Sequence, residues 1–557
     1  MKKFFASEYG IVPDKNKSYG ADIADMLEHI GDDSEIFFDK GTYIFDFKDA
    51  FKRKYSISNT LSTEQQSISI ILENRKNLIL DFQGSELLFT GWQTPMAIDC
   101  CHNITIRNVS IDWKTPTLAE GIVLGVEENL ITLQIDNTKF PHVVKNNVLY
   151  FTEEYWGESS YWAAMEYDQN TLRVRPNSAD KVLDAEFKEV DENIVEMTGC
   201  FEMMPLEGNY LALRHGMRTQ AGVFCQESKD ICFENVSVHN TCGIAFVCQF
   251  SENIRMNSVA IIPNEQRGRF VTSSHDDALQ FSNCKGYIEL QNCRFRGMFD
   301  DAVNVHGTST RIVDIKGNTV IGEFVEKCSN GFQRYMKKGD KISFLNCKNM
   351  NAYTCNEVDS FRLLNDERFE VIFLTKLTDD IRIGDAMENL TNTPAVHIQN
   401  CYFGSSRARG VLVATPGKTL ICNNVFDTSG SAILASGDAN GWFESGACND
   451  VTISNNVFTE HCLSSVYEFG KGIISFYPVI HEPHNSIGFH RNICISNNHF
   501  IASDCRVLYA LCVKNISFED NQIVCFEREY KGTSCTQYEY CSDVKEKNNH
   551  VVGWFLN

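Results

Sequence analysis

NICISNNHF, residues 492–500, alternates apolar Ile493, Ile495 and Phe500 with polar residues and carries paired asparagines before the phenylalanine. The same form recurs along the chain as NITIRNVSI (103–111), DICFENVSV (230–238), NIRMNSVAI (253–261), YIELQNCRF (287–295), AVHIQNCYF (395–403), TLICNNVF (419–426), DVTISNNVF (450–458) and NISFEDNQI (515–523). Measured on one asparagine, Asn235 to Asn257 is 22 residues, Asn498 to Asn521 is 23 and Asn400 to Asn424 is 24, while the 32 from Asn424 to Asn456 leave room for an inserted loop. Period-two alternation turns one face of each strand inward, and asparagine suits a bend because it tolerates left-handed geometry. Repeats of this length without helical periodicity predict an all-β chain, a right-handed parallel β-helix. A leucine-rich repeat would need a denser leucine pattern.

Working outward, YGADIADMLEHI (19–30) puts Ile23, Met26, Leu27 and Ile30 on one helical face before Gly31, a cap for the open end of a solenoid. With the Gly-punctuated strands EIFFDKGTYIF (35–45) and NLILDFQGSELLF (77–89), it resembles the start of pectin-lyase-like β-helix proteins. Two regions lack the asparagine step but keep strand alternation, as in GIVLGVEENLITLQI (121–135), KISFLNC (341–347) and FEVIFLT (369–375). They predict small antiparallel β-barrels inserted between coils. The expected organisation is a cap and first coils over 1–116, a barrel over 117–210, coils over 211–309, a second barrel over 310–392 and final coils over 393–557.

The 557 residues are 43% hydrophobic and 22% charged, enough to bury a large core. A net charge of −22 disfavours nucleic acid, anionic membranes and polyanionic substrates, and favours a neutral glycan or small molecule. The 22 cysteines are scattered through apolar strands rather than set at zinc or disulfide spacing, so they read as buried thiols. Residues 1–14 lack the apolar core of a secretory leader, and no run of 18 apolar residues marks a membrane span. A cytoplasmic location is expected, or a secreted or periplasmic one if a leader has been removed. A homodimer is an open arrangement. No P-loop or Rossmann turn calls for an organic cofactor.

Two acidic segments carry the chemistry. HDDALQF (275–281) and FDDAVNVHG (299–307) place Asp276 and Asp277 24 residues before Asp300 and Asp301, which is one coil. Coils stack about 4.8 Å apart, so four carboxylates meet on one edge. Like charges this close raise one another's pKa, leaving one group protonated while another stays ionised, the division of labour a glycosidase needs. A structural aspartate ladder or a calcium site is the alternative, and calcium asks for more oxygen ligands. Strict alternation sends Asp277 and Asp301 inward and Asp276, Asp300, Asn304 and His306 outward, though corners break parity.

FDDAVNVHG and HDDALQF, with SRARGVLVATPGK (406–418) and DANGWFESG (438–446), resemble glycoside hydrolase family 110, the α-1,3-galactosidases. The resemblance implies an exo-acting enzyme that removes terminal α-1,3-linked galactose from an oligosaccharide or glycoconjugate with inversion, and it marks Asp277, Asp300 and Asp301 as catalytic; our own assignment makes Asp300 or Asp301 the acid and has the remaining aspartates activate the water. Inversion asks for carboxyl groups ~6.5–9.5 Å apart, which favours a diagonal pair over a stacked one. Asp276, Asn304, His306, Arg407, Arg409, Trp442 and Glu444 are the candidate substrate contacts, Trp442 as a stacking face and Glu444 as a hydroxyl acceptor; Arg218 is a further polar candidate. A family 28 polygalacturonase-like hydrolase would carry an Arg-Ile-Lys motif, which this chain lacks. A non-catalytic glycan-binding β-helix would keep Trp442 without needing paired acids.

Overall fold

The computed structural model describes residues 1–61, 65–179, 185–467, 469–486, 488–502, 506–525 and 535–553. Half of the described residues are strand and 4% are helix, an all-β molecule. Each coil contributes a longer strand, a short strand beyond an asparagine bend, and a strand on the facing sheet, and equivalent strands of successive coils pair in parallel. Ile398, Ile421, Ile453, Ile495 and Phe518 sit side by side on five successive coils, all buried. Phe295, Phe403, Phe426, Phe458 and Phe500 form a second column with stacked rings 4.6–5.2 Å apart. These columns are the alternation of the sequence turned into packing, since parallel pairing in register brings like residues together.

The paired asparagines divide their work. Asn423, Asn455 and Asn497 take φ of 56° to 58° and make the bend, whereas Asn424, Asn456 and Asn498 turn inside. Asn456 donates to Ile421 O (2.9 Å) and Asn498 Oδ1 (3.0 Å), and its own Oδ1 accepts from the backbone and side chain of Asn424. The ladder continues through Asn521 to Asn549. Of the asparagines that mark the repeat, Asn235 and Asn400 are bend residues and Asn424, Asn456, Asn498 and Asn521 are ladder residues. An internal ladder satisfies every buried amide it contains, which a lone buried asparagine could not do.

The helix Gly20–His29 buries Ile23, Met26 and Leu27 against the first coils. All cysteines among the described residues are free thiols, most of them buried. No helix among the described residues is long and apolar enough to cross a membrane.

Two antiparallel units interrupt the coils. The first is an eight-stranded sheet running from Leu118–Glu127 to Tyr210–His215, curled round its own core so that Phe187 N–H donates to Asn147 O (2.8 Å) where its edges meet. The second is a closed six-stranded barrel from Thr310–Lys316 to Ala386–Asn389. Both hold the walls of one cavity. Glu120, on the first strand of the first unit, accepts the backbone N–H groups of Phe270, Val271 and Thr272 (2.8–2.9 Å), and Arg214, on its last strand, donates to His275 O (3.0 Å). The loop that leads into Asp276 and Asp277 is thus clamped from outside the solenoid. Arg311 of the second unit donates to Ala439 O (2.8 Å), and Asn440 donates to Cys347 O (2.7 Å), fixing the loop that carries Trp442 and Glu444.

Candidate active site

Leu279 pairs with Val303, and Val303 with Val411, on three successive coils. Stepping back two residues in each strand puts Asp277, Asp301 and Arg409 in one column, and the backbone bonds Ala278 N–H to Asp301 O (2.9 Å) and Ala302 N–H to Arg409 O (3.1 Å) carry the register to that point. The closest carboxylate oxygens of Asp277, Asp300 and Asp301 all lie within 4.8 Å of one another. They share a cavity of about 120 Å³ with Asn59, Arg218, Asn304, Arg409, Leu412, Ser436, Asp438, Trp442, Glu444, Tyr467 and Phe469.

The three aspartates are not equivalent. Asp301 is fully buried and accepts three bonds from one residue: Arg409 Nε (2.6 Å) and backbone N–H (3.0 Å) on Oδ1, and the Arg409 terminal nitrogen (2.7 Å) on Oδ2. Burial pushes its carboxyl up to about 6 even with Arg409 holding it down. A forked, charge-assisted pair of this kind keeps Asp301 ionised at neutral pH. Asp277 accepts the backbone N–H of Asp301 (3.1 Å) and is pushed well above the usual carboxylate range by burial and then by the charges of Asp300 and Asp301. It holds the proton of the resting trio. Asp300 is the most open, its side chain 24% exposed, with Arg407 at 3.5 Å and Arg409 at 4.0 Å.

Asp276 stands apart. It is buried beside Arg214 (3.0 Å) and His275 Nδ1 (2.8 Å), and although burial works against its charge, His275, Arg214 and Arg218 together hold it below the usual range. It does not line the cavity, contrary to its expected place among the substrate contacts. The reason is the clamp from the first inserted unit, which gives Asp276 a partner in Arg214, a residue that does not line the cavity. His306 is also set back. Its Nε2 lies 3.0 Å from Gln280 Nε2 and its Nδ1 2.7 Å from Gly307 O, while Glu444 is 3.6 Å away, beyond hydrogen-bonding range. Arg407 stands behind Asp300, donating to Phe299 O (3.2 Å) under the ring of Tyr467. Asn304, Arg409, Trp442 and Glu444 line the cavity.

The diagonal opening anticipated for inversion is absent from this trio: Asp277 and Asp300 are no farther apart, by nearest oxygens, than the stacked pair needs to be. The turn before the strand brings Asp300 round to the same point as Asp301, so alternation no longer separates them.

Glu444 reaches the cavity because Glu444–Ser445 pairs antiparallel with Gly307–Thr308, and its Oε1 accepts from Asn59 Nδ2 (3.0 Å) and Asn304 Nδ2 (3.3 Å). Asp438 folds that loop by accepting the N–H groups of Asn440, Gly441 and Trp442 (2.6–2.9 Å). Asn59, Leu412, Ser436, Asp438, Tyr467 and Phe469 escape the sequence reading. Leu412 and Ser436 look like ordinary strand residues, and only the aromatic pair before a glycine at 467–470 hints at a wall.

As a metal site the trio offers three oxygens, but Arg409 already neutralises Asp301, and hard cations ask for six or more oxygen ligands. The arrangement suits proton transfer: one buried neutral acid, one fixed carboxylate and one open carboxylate around a space for a single small group.

Residues 119–211 match the family description GLAA-B beta-barrel domain I, and residues 319–387 match GLAA-B beta-barrel domain II. The chain is 36% identical to alpha-1,3-galactosidase B of Bacteroides thetaiotaomicron over 98% of its own length and 90% of the relative's. It is 34% identical to alpha-1,3-galactosidase A of Bacteroides fragilis, covering 85% of this chain and 79% of that one. It is 28% identical to alpha-1,3-galactosidase B of Akkermansia muciniphila, covering 98% and 69%.

Proposed function

We propose, for a chain that belongs to the α-1,3-galactosidase family and is therefore a glycoside hydrolase with a glycan substrate, that it is a member of glycoside hydrolase family 110 and removes single terminal α-1,3-linked galactose residues with inversion. The observation that carries the chemistry is the convergence of Asp277, Asp300 and Asp301 within 4.8 Å at the bottom of a small cavity, with Arg409 fixing Asp301. A volume of about 120 Å³ is too small for a threaded chain, in keeping with exo action. The lining carries five carboxylates, Asp277, Asp300, Asp301, Asp438 and Glu444, against two arginines, which disfavours a uronate polymer and favours neutral hydroxyls.

Asp300, open to the cavity and reachable by the proton the trio shares, donates to the glycosidic oxygen. Asp277, ionised once its proton has passed to Asp300, takes the proton of the water that attacks the anomeric carbon from the other side, and Asp301 orients that water. Hydrogen bonding favours water over a covalent intermediate. Asp301 already accepts three bonds and Asp277 is buried against a backbone N–H, so neither is a free nucleophile. The close spacing of the trio is the observation on the side of retention, for which carboxyl groups about 5 Å apart are usual.

Proton NMR of Galα1-3Gal and, in parallel, the fucose-branched blood-group B trisaccharide decides the matter. Galactose appearing first as the β anomer is expected, and the α anomer would mean retention; no release from either glycan overturns the reading. Asp300→Asn should lose far more activity on Galα1-3Gal than on an aryl α-galactoside, whose leaving group needs no acid. The same pattern in Asp277→Asn instead would move the acid role there.

A further inference from the structure

Trp442 is 55% exposed and stands at the rim of the cavity, whereas the acidic trio lies at its base. An enclosed galactose touching the trio would leave most of that indole uncovered. The guanidinium of Arg218 lies 5.9 Å from the Trp442 ring, also on the cavity lining. The Asp276 carboxylate is 3.9 Å from Arg218, an ion pair beyond hydrogen-bonding range, so the guanidinium acts on that anion through space while it lines the cavity mouth. Its position is set by backbone: Arg218 O accepts the N–H of Leu61 (2.9 Å), three residues after the last strand of the first inserted unit.

Both sides of the mouth therefore depend on the inserted units. The first delivers Arg218; the second holds the Trp442 loop through Arg311, whose guanidinium also lies 5.1 Å from the Phe443 ring. Coils alone would leave an open groove.

We infer that Arg218 and Trp442 form the subsite for the sugar that leaves, the residue to which the terminal galactose is attached. An exposed indole offers a face to the C–H side of a pyranose, and a guanidinium beside it offers paired donors to hydroxyl oxygens on the ring's edge. The ligand class is a neutral hexopyranose joined through its 3-oxygen. This pair, rather than the trio, then sets how well a branched leaving sugar is tolerated. The inference rests on the reading of the trio as the point of cleavage.

The test compares kcat/KM of the full chain on Galα1-3Gal and on 4-nitrophenyl α-galactoside, whose leaving group is no sugar. Trp442→Ala and Arg218→Lys should each lower the ratio of the disaccharide value to the aryl value about tenfold. Because only the disaccharide depends on the acid, Trp442→Ala is the deciding variant: Trp442, half in solvent, is replaceable without loss of core packing, while Arg218→Lys keeps the positive charge that acts on the aspartates. An unchanged ratio in both variants overturns the subsite. Failure of the unmodified chain to cleave either substrate overturns the reading of the trio, and the subsite with it.

Discussion

Arg409 occupies the strand position directly after Asp301 in the stack of coils and grips both of its carboxylate oxygens, at 2.6 and 2.7 Å. The pair is buried, and Tyr467 and Phe469 cover the guanidinium at 5.2 and 5.7 Å from their ring centres. A charge pair shielded from water in this way sets the proton balance of its neighbours more strongly than an exposed one could.

From this follows a pH prediction. If ionised Asp301 is needed for turnover, the acid limb of kcat/KM falls near pH 6, where its carboxyl titrates. Arg409 lowers that pKa, so Arg409→Gln should move the limb to higher pH and reduce activity by at least about a hundredfold at neutral pH. Because the trio titrates as a unit, the limb belongs to the cluster as a whole. An unmoved limb in the variant would remove Asp301 from the titrating set.

Glu120 tests the clamp on the acidic loop. Its carboxylate caps three consecutive backbone N–H groups, Phe270 to Thr272, just ahead of His275. Glu120→Ala leaves those donors buried and unpaired and frees the loop that positions Asp277. The expected result is a fall in kcat of about tenfold or more with a much smaller change in KM, partly restored in Glu120→Gln. Equal changes in kcat and KM in both variants would argue against a positioning role.

The internal asparagine ladder should be costly to break. Asn456→Leu strands the backbone N–H of Asn424 in the core and removes a donor from Ile421 O and one from Asn498 Oδ1. Each lost buried partner is worth about 1–3 kcal/mol, so a clear drop in Tm is expected by calorimetry. Activity per folded molecule should hold, because none of the ladder asparagines lines the cavity.

Glu388 gives a stability prediction with a defined sign. Buried in the second barrel, it is pushed up to about 7 by burial, from 4.5. Below pH 4.5 it is protonated in both folded and unfolded chains and costs nothing. Between 4.5 and 7 the unfolded chain ionises first, so folding loses stability as pH rises, up to roughly 3 kcal/mol above pH 7. Glu388→Gln should thus raise Tm at pH 7.5 and leave it nearly unchanged at pH 4. A gain at the lower pH, or none at the higher, would contradict this.

Sequence by itself determined the solenoid and most of its contents. Period-two alternation and a near-constant repeat are local features that parallel pairing converts directly into columns of Ile, Phe and Asn, so their register needed no long-range information. The same logic brought Asp277 and Asp301 together, since 24 residues is one coil. The corners and the inserted units are different, because contacts between distant parts of the chain shape them. Asp276 and Asp277 are neighbours in sequence, yet Arg214, 62 residues away in another unit, draws one into an ion cluster and leaves the other in the cavity. Glu444 enters by pairing with a strand more than a hundred residues earlier, and Asn59 and Tyr467 arrive on loops with no periodicity to announce them. Alternation fails at a turn because backbone direction there is set by contacts from other parts of the chain, and those contacts place the acids.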